Sequence, residues 1–520
     1  MNPLLMGIDA GTSGTKVVVF DCQGNIVARG SARMPVVNPK PGWVEQPPIW
    51  WENLQEAVNS LWEQGRVERK AIQAIGLTHQ RHSFVPVDKN IRPLRNGILW
   101  SDVRCVREIR EVVETIGAQR VYEASGVRPG PWSIYKMGWF KKNEPYLYDR
   151  CYKIVLVHDY LIHRLTGRLV TTISAAAMMG CLDIHRLDCW IKEILSVFNI
   201  PESKLVDDIV PAGTVLGRLT EEAAALLGLE QRITVVSAAG DQPCGCIGVG
   251  VDNPHVLGMN SGTSLTLETV VPELRLDPNM NYVMEYSPLD LYAPECAIFS
   301  GLSDLMNWFK DEFAQSEVAE ANDGNANIWE TLYGYAVACP PGAGGMLLFP
   351  YFQGSNAPYW DPLARGIIVG CHRRTGKAQL VRAIMEGLAY ESRRQIELLE
   401  DGTKESIDSI RMYGGSAHRE IWNQIVADIT NRTVEVTNTE EATSLGAAIC
   451  AAKGVGLHPS IRESMQTMVK VKNIFEPSCA YRDQYDSIYQ QVYKPLFGAV
   501  QPFVDHLSEL NEYVLKKTGG

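Results

Sequence analysis

No apolar run in this chain reaches the roughly eighteen residues that cross a bilayer, so no helical membrane span is expected. Nor does a charged segment with a separate apolar stretch precede the first predicted strand, which begins directly after Met1-Asn2-Pro3, and a cytoplasmic location is the expectation. Positive charge is in deficit: 49 Lys and Arg against 60 Asp and Glu leave a net charge of −11. A nucleic-acid or anionic-membrane partner would need a basic face, so neither is expected. Low-complexity segments and long charge runs are also missing. The twelve cysteines lack framework spacing; most, such as Cys22, Cys181, Cys371 and Cys450, fall inside predicted strands or helices and read as buried thiols of a reducing compartment. Cys244-Gly245-Cys246 is a close pair, but no further ligands stand at finger-like spacing, so no metal or redox role is assigned to it.

What the chain does have is length for two cores and a turn that occurs twice. At 520 residues it exceeds what one core usually serves, and two domains, 1–250 and 251–520, are expected around Gly250-Val251-Asp252-Asn253-Pro254. Two apolar runs, Leu4–Ile8 and Val17–Phe20, flank Ala10-Gly11-Thr12-Ser13-Gly14 and predict a β-hairpin. Gly11 and Gly14 allow backbone N–H groups to converge on an anion, Thr12, Ser13 and Lys16 add donors, and Asp9 carries the charge that holds a hydrated Mg²⁺ against phosphates. An edge hairpin with a glycine turn would read the same way. His255–Val270 repeats the pattern around Asn260-Ser261-Gly262-Thr263-Ser264, and two such turns half a chain apart imply a duplicated fold.

Between the hairpins, Ile26–Gly30 predicts a third strand and Ile49–Gln64 a helix with Trp50, Leu54, Ala57 and Leu61 on one face. The strand Ile72–Leu77 delivers Gln80, Arg81 and His82 at its carboxyl end, where ligands collect in open α/β sheets. These side chains are a poor choice for stability alone and suit a pocket for a hydroxylated substrate, the alternative being an Arg and His solvated on a loop. Asn96–Asp102 repeats the pattern, with Trp100 as a stacking wall or core residue and Asp102 as an acceptor. Lys153–Gly167 predicts one helix. In Thr234–Gly250 a buried strand runs through Ala238-Ala239-Gly240 to Asp241, a carboxylate open to an approaching ligand or simply capping a helix. Ile410–Ser416 predicts a strand ending in Gly414, Gly415 and Ser416, where a flat purine can lie against backbone, with Arg419 and Asn423 on the following helix. Tyr481, Tyr485, Tyr489 and Tyr493 stand at helical spacing and read as core.

The G-I-D-x-G-T hairpin and the later G-T hairpin together resemble the sugar kinase, Hsp70 and actin superfamily. Three further stretches narrow the resemblance to the FGGY carbohydrate kinases: PGPWSIYKMGWFKKNEP around Lys136 and Trp139, NAPYWDPLARG from Asn356, and the predicted helix Ala378–Leu399. The resemblance covers nearly the whole chain. It implies two α/β domains of the ribonuclease-H-like, actin-like ATPase type, each with a mixed five-stranded sheet, and an interdomain cleft. It implies ATP and Mg²⁺ as cofactors and a sugar or polyol as the small-molecule partner, with a homodimer as the assembly. The Asp of a G-D-x-x-x-G motif, here Asp241, is the family's catalytic base, and Mg²⁺ is assigned to Asp9 and Asp241. Nucleotide falls to Gly11, Thr12, Ser13, Lys16, Gly262, Thr263, Gly301, Gly414, Gly415, Ser416 and Asn423; the sugar falls to Gln80, Arg81, His82, Trp100, Asp102, Trp132 and Asp241. Trp360, Asp361 and Arg365 are expected to order the loop between domains.

The subfamilies differ at the sugar side. Glycerol kinases read Q-R-E where xylulose kinases read Q-M-H, and this chain has Gln80-Arg81-His82, half of each. The glycerol-contacting tyrosine falls at Pro131, while Trp132 matches an aromatic of the xylulose kinases. A ketopentose therefore leads. Glycerol or another polyol is one alternative, and the linear signalling sugar of quorum-signal (autoinducer-2) kinases another, since the Gly301 region resembles theirs. The competing class is a non-catalytic actin-like nucleotide switch.

Overall fold

Leu4–Ala10 (β1) is apolar because it is central: its residues are buried almost throughout, with Gly14–Asp21 (β2) antiparallel on one side and Ile72–His79 on the other, parallel. The computed structural model describes residues 2–324 and 327–518, with side chains through residue 510. Two compact units result, and their boundaries differ from a single break at residue 250. The first comprises Met1–Asn253, Thr269–Pro294 and Glu441–Lys470, and the second Pro254–Glu268, Glu295–Glu440 and Val471–Gly520.

In the first unit six strands form one sheet. Numbering Ile26–Arg33 as β3, Ile72–His79 as β4, Val215–Arg218 as β5 and Thr234–Gly240 as β6, their order is β5-β6-β4-β1-β2-β3. The expected five strands gain β5, an antiparallel edge paired to β6. One face carries the helix Trp50–Trp62, which buries Trp50, Leu54, Ala57 and Leu61. The other face takes the helix Ala442–Gly454, from near the end of the chain. That packing explains why Glu441–Lys470 joins this unit. The helix approaches so closely that a Cβ on Gly7 or Gly76 would sit 2.0 Å from the Ser444 carbonyl oxygen or 1.9 Å from that of Ala447.

The second unit repeats the plan. With Val256–Ser261 as β7, Leu265–Glu268 as β8, Leu291–Ile298 as β9, Ser409–Tyr413 as β10, Thr433–Thr437 as β11 and Val471–Phe475 as β12, six strands of a seven-stranded sheet run in the order β9-β8-β7-β10-β11-β12. As in the first unit, an antiparallel hairpin is followed by two parallel neighbours and an antiparallel edge. The helix Lys377–Thr403 packs in this unit, and Tyr485, Tyr489 and Tyr493 are buried against it, each hydroxyl donating to a glutamate of that helix, Glu386, Glu397 and Glu391 respectively. Asp361 orders its loop inside this unit, accepting from Leu363 N–H and Gln501.

Two local expectations change. Lys153–Gly167 is a strand, Lys153–Leu156, followed by a helix, Val157–Thr166, because Ile154 and Val155 pair with Phe84–Val87 and Asp159 caps the helix by accepting from Leu156 N–H. Cys22 lies in a turn and Cys371 in an exposed loop rather than inside elements; no disulfide forms among the described residues. Among the described residues no helix is long and apolar enough to cross a membrane.

Candidate active site

In the first unit, four residues join β1 to β2 beyond the Ala10–Thr15 pair. Gly11 N–H donates to Gly14 O at 3.0 Å and Met34 N–H to Ser13 O at 2.9 Å, which closes the turn and leaves the N–H groups of Thr12 and Ser13 uncommitted among the described residues. A Cβ on Gly11 would stand only 3.2 Å from Gly14 O, so glycine keeps the turn tight. Two expected nucleotide donors are otherwise engaged. Lys16 Nζ pairs with Glu441 at 3.0 Å, and the Thr12 hydroxyl donates to Gln80 Oε1 at 3.0 Å while accepting from the Trp100 indole at 2.9 Å. A hydroxyl has one proton to give, so Thr12 has only its backbone N–H for an anion.

Asp241 opens the helix Asp241–Val249 directly after β6, with Gly240 at the cap position. Its Oδ1 accepts from Gln242 N–H at 3.0 Å and pairs with Arg81 Nε at 3.2 Å, and its side chain stays 32% exposed. Arg81 has a second carboxylate: Nη1 donates to Glu285, which is fully buried on the strand Val283–Ser287. Sequence reasoning passed over Glu285. The signal available was a lone carboxylate inside the run Tyr282–Ser287, a costly residue to bury without a cation.

His82 holds a positive φ of 60°, unusual for a residue with a side chain. Its ring lies 4.7 Å from that of Trp132, Nδ1 faces the Met178 carbonyl at 2.6 Å, and Ser133 donates to its backbone oxygen. Burial, reinforced by the Arg81 charge, holds the imidazole well below its ordinary pKa and therefore neutral. Nδ1 then carries the proton given to Met178, and Nε2 is an acceptor. Trp100 is 43% exposed, with its carbonyl held by the buried Lys136 at 2.9 Å. Asp102 is not available to a sugar. It is fully buried and accepts from Val44 N–H and from the N–H, Nε and Nη2 of Arg104, a side chain that folds back from two residues on.

In the second unit the Gly262–Ser264 turn is closed by Gly262 N–H to Ser264 O at 3.1 Å. Gly301 N–H donates to Thr263 O at 2.7 Å and Ser416 N–H to Ser261 O at 3.0 Å, so Gly301 and the Gly414–Ser416 turn are both tied to this hairpin. Gly414 has a φ of +89° and a Cβ there would meet Asn260 Oδ1 at 2.5 Å, whereas a Cβ on Gly415 would point into open space. Asn423 is 1% exposed and donates to Ala417 O, which makes it a support of this turn rather than a ligand contact. Arg419 lies over the Tyr333 ring at 4.6 Å.

Residues 4–248 match the N-terminal domain, and 261–455 the C-terminal domain, of the FGGY family of carbohydrate kinases. A xylulose kinase of Staphylococcus epidermidis is 30% identical over 497 residues, covering 94% of this chain and 96% of that protein. The chain belongs to the FGGY family. It is therefore a carbohydrate kinase, a phosphotransferase with an alcohol group as acceptor, rather than a non-catalytic switch. A glycerol kinase of Thermococcus gammatolerans is similar too, 32% identical over 487 residues, with 92% and 94% of the two chains covered. Among solved structures, a ligand-bound xylulose kinase from Lactobacillus acidophilus has a TM-score of 0.86 at 25% identity, over 96% of this chain and 98% of that one.

In this kinase Asp241 and Asp9 are both pushed toward their neutral forms. Burial raises the pKa of Asp241, and Arg81 opposes that rise. Asp9 is raised to about 7 by burial and then by the charge of Asp241, with Lys16 opposing. Its Oδ1 is buried with no hydrogen-bond partner. A buried carboxylate oxygen without a donor is a place a cation fits, and among the described residues no cluster of three or more metal-type ligands exists.

Proposed function

We propose that this kinase transfers the γ-phosphoryl group of ATP to a hydroxyl of a ketopentose such as xylulose, or of a closely related sugar, in the cytoplasm. The observation that carries the substrate choice is the pairing of neutral His82 with Trp132 beside Arg81 and Asp241. This tilted ring pair, with 39° between its planes, offers a broad apolar wall and one acceptor, suited to a chain of several hydroxyl-bearing carbons, and glycerol is small for it. Asp241 accepts the proton of the attacking hydroxyl. The Thr12 and Ser13 N–H groups receive phosphate oxygens, and Gly262 and Thr263 offer the equivalent turn in the second unit. Adenosine lies against Gly415 and Ser416. Mg²⁺ held through Asp9 supplies positive charge to the transferring phosphoryl group. Arg81, balanced between Asp241 and Glu285, positions the base rather than neutralising it alone.

A kinase assay across ketoses, aldoses and polyols tests the substrate. A ketopentose is expected to exceed glycerol in kcat/KM by at least about tenfold, roughly what one to two kcal/mol of added contact supplies. Equal or better use of glycerol would overturn the choice.

Asp9 carries a pH signature. In the folded protein its carboxyl keeps a proton up to about pH 7, whereas an ordinary carboxyl with a pKa of 3.8 loses it far earlier. Between those values the folded state binds more protons than the unfolded one, so this group's contribution to stability declines as pH rises through the window. A divalent cation replaces the proton. Mg²⁺ is therefore expected to raise Tm more at pH 8 than at pH 5 in thermal melts, and Asp9→Asn should abolish that difference.

A further inference from the structure

Gln46, on the short strand Glu45–Gln46, is fully buried, yet its amide bonds to residues on both ligand sides of the first unit as well as to the core. Its Oε1 accepts from the Trp50 indole at 2.9 Å and from Gln80 Nε2 at 2.8 Å, and its Nε2 donates to the Thr12 carbonyl at 2.6 Å. The orientation of both amides follows from Trp50. An indole N–H can only donate, so the Gln46 oxygen must face it; the Gln80 NH₂ must then face that same oxygen. That leaves Gln80 Oε1 for the Thr12 hydroxyl at 3.0 Å and the Ser83 hydroxyl at 3.1 Å. Trp100 closes the circuit, its indole donating to Thr12 Oγ1 at 2.9 Å and its backbone N–H to Ser83 Oγ at 3.1 Å. Thr12, at the turn assigned to phosphate, is thus bonded to the residues assigned to the sugar directly through its hydroxyl and, by way of Gln46, through its carbonyl.

We infer that Gln46 is a positioning residue that locks the Gly11–Gly14 turn to the Gln80–Trp100 side of the site, so that nucleotide phosphate and sugar each tighten the binding of the other. The inference rests on the proposed kinase function for the identity of the two ligands. Its physical basis is the directionality of the network: the Trp50 indole fixes both amides, so the Thr12 carbonyl faces only a donor and its hydroxyl bridges Gln80 and Trp100, and a displacement of Thr12 must be followed by Trp100 and Gln80 or leave buried polar groups unpartnered. Coupling of this kind is reciprocal.

The test uses the full-length enzyme labelled with 5-fluorotryptophan, the Trp100 ¹⁹F signal being assigned with Trp100→Phe. Addition of a non-hydrolysable ATP analogue, compared with ADP and with no sugar present, is expected to shift the Trp100 signal in the wild type and to leave it in place in Gln46→Leu. Gln46→Glu keeps the acceptor for Trp50 and Gln80 and, when ionised, turns the donor to Thr12 into an oxygen that repels its carbonyl, so it is expected to lose the shift as well, its folding being checked by circular dichroism. A Trp100 signal that ignores the γ-phosphate in the wild type, or that responds equally in Gln46→Leu, overturns the inference. In steady-state assays, the accepted sugar is expected to lower the KM for ATP in the wild type by about fivefold or more, and to have no such effect in Gln46→Glu, with kcat changed less than KM. Failure of every sugar in the panel would defeat the proposed kinase function, while the nucleotide-only signal still decides the role of Gln46.

Discussion

Asp241→Asn is expected to lower kcat between about a hundredfold and ten-thousandfold, the range that loss of a general base covers, while sugar affinity measured by calorimetry changes by less than about threefold. Asparagine retains the shape of the carboxylate and one acceptor for Gln242 N–H and Arg81 Nε, so the strand-to-helix junction after β6 has no reason to move. What it loses is the ability to take a proton. Transfer of a phosphoryl group depends chiefly on alignment and charge, but the attacking hydroxyl must still shed its proton, and Asp241 is the carboxylate left exposed beside Arg81 to receive it. Turnover within a few-fold of wild type would remove Asp241 from the chemistry. A loss of sugar binding as large as the loss of rate would make it a binding group instead.

Gly76→Ala is expected to destabilise the protein by about 3 kcal/mol or more, a large loss for one added methyl group, seen as a lowered denaturant midpoint. The added methyl would stand 1.9 Å from the Ala447 carbonyl oxygen, and neither neighbour can give way. Gly76 belongs to β4 at the centre of the first sheet, and Ala447 to the buried helix Ala442–Gly454. The same helix is equally tight on its other side, where a Cβ on Gly446 would meet Cys244 O at 1.9 Å. Cys244 lies on the helix that begins with Asp241, so close packing here also fixes the orientation of the base. Gly334→Ala is the control. A Cβ there meets nothing within 4 Å, and the position is inside the helix Ile328–Ala338, so that change is expected to be neutral or stabilising by up to about 1 kcal/mol. Equal midpoints for Gly76→Ala and wild type would show that the helix stands further off the sheet.

Both hairpins, the junction at Asp241 and the Gly414–Ser416 turn were legible because each is a local pattern: apolar alternation interrupted by glycine, or an apolar strand ending in a small polar turn. The departures at Gln80-Arg81-His82 and at Pro131-Trp132 were legible for the same reason. The partners of those residues were not. Arg81 meets Glu285 across 204 positions of sequence, and Lys16 meets Glu441 across 425. Asp102 looked available, and only the fold shows Arg104 turned back onto it. Gln46 lies in a proline-rich stretch with no periodicity to mark it, and its role rests entirely on what β1, β4 and the helix Trp50–Trp62 place around it. By itself the sequence determined the kind of chemistry and the duplicated plan, since these depend on the short-range geometry of turns and on which residues can be buried in strands. The tertiary structure decided which charges are spent, which remain open and where Thr269–Pro294 and Glu441–Lys470 belong, because parallel strand neighbours and the helices packed over them join segments whose separation along the chain leaves no local trace.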